Sequence, residues 1–175
     1  MNYRDEIVKA MGMLAKNKKV LFVGQSVKYP GHAMFNTLED AKVPMGKRIE
    51  LPVFEDTQLG ICTGLALEGY IPLSIYPRMD FLIIAMNQLV NHLDKIEQMS
   101  QEHFRPKVLI RTMVGSKVPL DGGPQHTQDH TEGLVKILTN INVYKLEKAE
   151  EIMPAYQEAL NSDKSSILVE IGDLY

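Results

Sequence analysis

Short apolar runs alternate with segments of helical periodicity along nearly the whole chain, and that alternation limits the possible folds more than any other feature. Ile7, Val8, Met11 and Leu14 recur at helical spacing, and "KKVLFVGQSV" follows as a strand-length apolar run ended by glycine and polar residues. "FNTLEDAKV" then reads as a short helix, "KRIELPV" as a strand, and "DTQLGICTGLALEG" as a helix closed by Gly69. Strand "IPLSIYP", a long helix "FLIIAMNQLVNHLDKIEQMS" and strand "KVLIRTMVG" come next. Helix "TEGLVKILT", strand "INVYKLE", helix "AEEIMPAYQEAL" and strand "SSILVEI" complete the series. Strands that are apolar on both alternating faces need cover on both, so the expected fold is α/β, a mainly parallel sheet with helices on both faces. In such folds the loops running from the carboxyl ends of strands into helices carry the functional residues.

With 45% hydrophobic residues in 175, residues 1–175 are expected to form one domain around a sizeable core. A formal charge of −3 with acids and bases interspersed offers no basic face, which argues against nucleic acid as a partner. The lone Cys62, inside "LGICTGLAL", excludes an intramolecular disulfide and suits buried packing in a reducing compartment. The charged N-terminus lacks an apolar signal region, and no stretch approaches the ~18 apolar residues of a membrane span. The expectation is a soluble, cytoplasmic protein.

Several residues stand where chemistry is usually placed. Glu55 follows "KRIELPV" and opens the next helix. It is either a carboxylate favoured by the helix dipole, worth ~0.3–1 kcal/mol, or a partly desolvated group able to share a proton with a ligand nitrogen. Gly60 and Gly64 lie on one helical face near Thr57 and point to close approach of another backbone or a ligand. Phe81 starts the long helix after Tyr76, as a core aromatic or as a ring able to pack against a heterocycle. No phosphate-binding glycine motif is present. In "GGPQHTQDH", Asp129 with Glu132 three residues on reads as a helix cap with its reciprocal acid, which makes His130 a first-turn surface residue. His126 is left on a glycine-rich loop between Gln125 and Gln128, placed to donate to an anionic substrate or to shuttle protons. The alternative is a metal held by His126, Asp129 and His130 in a hydrolase. His32 and His92 have no comparable context.

Taken in order, the run from "KRIELPVFEDTQ" through "MDFLIIAMNQLVNH" to "PKVLIRTMVG" and "GGPQHTQDH" resembles the β subunit of the E1 component of 2-oxo acid dehydrogenases. It is similar to that subunit's pyrimidine-binding domain, a domain type shared with transketolase, which holds the aminopyrimidine of thiamine diphosphate. The similarity runs from "YRDEIVKAM" to "SSILVEIGDLY". It implies that Glu55 hydrogen-bonds the pyrimidine ring nitrogen and so activates the ring, that Phe81 and Pro77 contact the pyrimidine, and that His126 faces the substrate. Thr127 takes the place of a serine usual in the family, and Asp56 and Thr57 replace small residues that usually follow the glutamate.

The resemblance further implies a second chain. The diphosphate and Mg²⁺ are held in the family by a separate domain with a Gly-Asp-Gly motif and a downstream asparagine, and "IGDLY" does not match it. The expectation is half a cofactor site, inactive alone, completed by a diphosphate-binding partner subunit in a heterotetramer, with homodimerisation of the isolated chain as a further possibility. The substrate class is a 2-oxo acid, decarboxylated with acyl or aldehyde transfer, or a ketose yielding a two-carbon unit. A non-catalytic interaction module of the same fold is the alternative from another class.

Overall fold

In the computed structural model, which describes residues 1–175, six strands form one sheet in the order β2-β1-β3-β4-β6-β5, and every neighbouring pair is parallel. The strands are β1 (Val20–Gly24), β2 (Arg48–Glu50), β3 (Ile71–Tyr76), β4 (Leu109–Val114), β5 (Asn142–Leu146) and β6 (Ser166–Ile171). The helices are α1 (Tyr3–Lys16), α2 (Ala33–Asp40), α3 (Glu55–Leu67), α4 (Met79–Leu82), α5 (Ile96–Met99), α6 (Thr131–Ile137) and α7 (Ala149–Asn161). The α/β fold with helices on both faces is therefore the one the apolar runs predict. No helix is long and apolar enough to cross a membrane.

Strand periodicity divides the core into two. Phe22, Leu73, Ile75, Leu109 and Leu168 face a cluster with α1, α2 and α7, where Ile7, Met11 and Leu14 are fully buried. Val23, Ile110, Ile167 and Val169 face the opposite cluster, with Leu59 and Cys62 of α3, Leu89, and Leu134 of α6. Burial pushes the Cys62 thiol up to about 12, as its packing role requires.

Two readings of local structure change. The long helix is not uniform: α4 passes through a 3₁₀ turn (Ile83–Ala85) into a π-helical stretch (Asn87–Leu93) before α5. The wider turn brings Leu89 and Leu93 into the core while the backbone N–H of Gln88 donates to Asp56 Oδ1 at 3.3 Å. The glycines of α3 also differ from expectation, since a side chain at Gly60 would meet only that of Gln88 at 3.6 Å and one at Gly64 would meet open space. Gly69 ends α3 as anticipated, at a positive φ of 86° with its N–H on the Ala66 carbonyl.

A polar cluster inside the first core was not legible as such. Arg111 and Glu170, on adjacent strands and both fully buried, form a two-bond ion pair at 2.8 and 3.1 Å. The Arg111 guanidinium also donates to Thr37 and Tyr175, and Tyr156 donates to Glu170 at 2.7 Å. Burial works against the Arg111 charge, but Glu170 and the surrounding tyrosines hold its pKa well above the ordinary value.

Candidate functional site

The chain leaves β1 for β2 on one side and leaves β3 for β4 on the other, so the crevice beyond the carboxyl ends of β1 and β3 is the switch point at which α/β sheets place their sites. Gly24 makes the close passage there possible. Its φ is 145°, and a Cβ would stand 2.4 Å from the Ile75 carbonyl oxygen. After it, the carboxylate of Glu50 accepts the backbone N–H groups of Ser26, Val27 and Lys28 at 2.8, 2.8 and 2.6 Å. That clamp shapes the β1–α2 loop, with Ser26 at φ 53°. Gln25, at the root of the loop, reaches Glu55 Oε1 with its side-chain amide at 3.3 Å.

Glu55 is the first residue of α3 and is 4% exposed. Its helix turn is bolted to β3: Tyr76 donates to the Glu55 carbonyl at 3.2 Å, and the buried Gln58 donates to Ser74 Oγ and the Ile75 carbonyl, both at 3.0 Å. The carboxylate thus sits on a rigid support, with Gln25 the one side chain hydrogen-bonded to it and with no cation against it. Pro77, half-buried, follows Tyr76 directly. Phe81, also half-buried, lies on α4, and the His126 imidazole stands edge-on to its ring at 81°, with centroids 5.4 Å apart. The structure therefore brings Phe81 of α4 together with His126 of the β4–α6 loop, while Glu55 is tied to Gln25 and Tyr76.

The His126 loop needs glycines elsewhere. A Cβ at Gly115 would lie 1.7 Å from the His126 carbonyl oxygen, and one at Gly122 would lie 2.8 Å from the His126 Cβ. Gly122 belongs to the glycine-rich segment seen in the sequence, but Gly115 carries no such mark, because its importance comes from a contact, not from a motif. The expected cap changes as well. His130, half-buried, occupies the cap position of α6, and Asp129 precedes it, accepting the N–H and hydroxyl of Thr131 at 3.0 and 2.6 Å. No capping bond with Glu132 forms, because the Asp129 carboxylate is committed to Thr131 and to Lys145 at 3.2 Å. Burial raises the Asp129 carboxyl, but those partners outweigh it and hold the pKa below the ordinary value. The metal alternative fails with it: no group of three or more His, Cys, Asp or Glu side chains is arranged to hold an ion.

Beside the His126 loop lies a cavity of about 310 Å³ bounded by His32, Arg78, Met113, Ser116 and Tyr175, with no acidic residue in its wall. His32, given no role by its sequence context, accepts the Met34 N–H through Nδ1 at 3.3 Å. Burial, then the positive charges of Arg78 and Arg111, lower its pKa to about 4. The wall is cationic through Arg78, with a neutral imidazole beside it.

With that geometry in view, comparison with known proteins places the chain. A pyruvate dehydrogenase E1 component subunit β from Cyanidium caldarium is 26% identical over 130 residues, 73% of this chain and 38% of that protein. A 3-methyl-2-oxobutanoate dehydrogenase subunit β from Mycobacterium tuberculosis is 28% identical over 124 residues, 68% of this chain and 34% of that protein. The structure superposes on a split-gene transketolase, described as an inactive β4 tetramer, with TM-score 0.74 at 18% identity, covering 98% of this chain and 51% of that one. It also superposes on transketolase from Campylobacter jejuni, with TM-score 0.72 at 20% identity and coverage of 97% and 25%. In sequence the chain is related to E1 β subunits of 2-oxo acid dehydrogenases, and in fold to transketolase. No family model matches it. The chain spans 38% and 34% of the length of the two curated relatives named above.

Proposed function

We propose that this chain is the pyrimidine-binding part of a thiamine diphosphate-dependent enzyme that acts on a 2-oxo acid, with transfer of a two-carbon unit from a ketose as the neighbouring reaction. The observation that carries the reading is Glu55, a buried carboxylate at the switch point with one amide donor and no cation. Such a group fits a ligand ring nitrogen with which it can share a proton, because the shared proton offsets the charge of a buried carboxylate. Phe81 and Pro77, both half-buried after the carboxyl end of β3, supply the flat apolar surface that an aromatic heterocycle requires.

When bound, thiamine diphosphate supplies the carbon nucleophile and the electron sink for chemistry at a 2-oxo carbonyl. The chain's own residues do the rest. Glu55 holds a proton against the pyrimidine nitrogen, Phe81 and Pro77 orient the ring, and His126, supported by Phe81, exchanges protons with the substrate at the crevice mouth. Arg78 gives the adjoining cavity the positive charge that an anionic substrate needs. The diphosphate and Mg²⁺ belong to a second chain, a reading supported by the relatives' names, which describe component subunits.

Reconstitution with that second chain tests the assignment. Glu55→Gln preserves size and burial but removes the charge, so turnover falls about a hundredfold or more with the circular dichroism spectrum and melting temperature unchanged. Full activity in Glu55→Gln would rule out this role for Glu55.

A further inference from the structure

The His126 loop is fastened to the first turn of α4 at two neighbouring points. Asp80 Oδ1 accepts the backbone N–H of Gln128 at 3.2 Å and its side-chain amide at 2.9 Å. One residue earlier, Met79 Sδ receives the backbone N–H of His130 at 3.3 Å. Bonds nearer His126 remain within the loop, where the Gly123 carbonyl accepts its N–H and the Thr127 hydroxyl. At the far end, Asp173 holds Lys117 and Val118. The residue after Asp80 is Phe81, whose ring meets the imidazole. Positions 80 and 81 therefore grip the backbone and the ring of one segment, and both stand on a turn that leaves a central strand. The other Asp80 oxygen, Oδ2, is buried without a hydrogen-bond partner, so Oδ1 alone carries the contact to Gln128.

We propose that Asp80 is a positioning residue: through Gln128 it sets the orientation of His126 against Phe81, so that the β3–α4 turn, and not the glycine-rich loop alone, determines where the imidazole points. The inference rests on the reading of His126 as the substrate-facing group, but its test needs no turnover.

The test uses the full chain, with nitrogen-resolved spectra of the histidine rings and amide hydrogen exchange. Gln128→Glu sets a second carboxylate against Asp80. The residue-128 amide then exchanges about tenfold faster and the His126 ring signals move, while those of the exposed His92 and His103 stay in place. Adding Asp80→Asn supplies an amide donor to Glu at 128 and keeps an acceptor for the backbone N–H, so the double variant restores both readouts. Unchanged His126 signals in Gln128→Glu would overturn the proposal. So would a double variant that remains as loose as the single one, which is the pattern of a contact that only adds stability. If the ring responds as expected but reconstituted turnover of Gln128→Glu equals that of the parent, the positioning role stands and the catalytic reading of His126 is what fails.

Discussion

At the scale of single residues, the candidate site residues stand where a strand ends and the backbone has little freedom. Glu55, Phe81 and His126 stand out as candidates in the sequence because each follows a strand run, where α/β sheets place their sites, whereas Pro77 is a candidate only through the family resemblance. Gly115, Asp80 and His32 do not stand out, because their neighbours are distant in sequence and no local pattern marks them. Gly115→Ala is expected to keep the sheet but displace the His126 loop, since the added methyl would occupy the site of the carbonyl oxygen. Faster amide exchange confined to residues around 122–130 would confirm it. His32 makes a pH prediction. Its folded pKa, about 4, lies below the ordinary 6.5, so between these values the unfolded chain binds the extra proton. Stability is present above about 6.5 and is lost as the pH falls towards about 4. The melting temperature of His32→Asn should accordingly fall less between pH 6.5 and 5 than that of the parent chain.

At the scale of elements, the alternation of apolar runs passed directly into strands and helices, while departures arose where a polar contact overrode a local rule. Asp129 has the composition of a helix cap, yet Thr131 and Lys145 claim its carboxylate and His130 takes the cap position. "KVLIRTMVG" reads as an apolar strand, and the charge in its middle is buried only because β6 brings Glu170 alongside. This pairing of β4 with β6 gives a stability prediction. Arg111→Met leaves Glu170 buried without its counter-charge and should cost about 3–5 kcal/mol in urea unfolding. Replacing both, Arg111→Met with Glu170→Leu, should cost less than the single change, because no unpaired charge remains. A double variant that is less stable than Arg111→Met would show that the pair contributes more than mutual neutralisation.

At the scale of the whole molecule, two apolar layers pack on one parallel sheet, and Glu55, Phe81 and His126 each lie in a segment that follows the carboxyl end of a strand, β2, β3 and β4 respectively. The parallel pairing puts all those carboxyl ends on the same side of the sheet. The proposed half-site leaves the diphosphate to groups outside residues 1–175, which the proposal assigns to a second chain. The direct measurement is native mass spectrometry of the tagged chain recovered from its own cells with thiamine diphosphate and Mg²⁺ present. The account predicts a complex with one other type of subunit, carrying thiamine diphosphate, in which Glu55→Gln assembles but does not turn over a 2-oxo acid. Recovery of the chain alone, or with partners in complexes that bind no cofactor, would contradict it and leave a module that keeps the fold for binding.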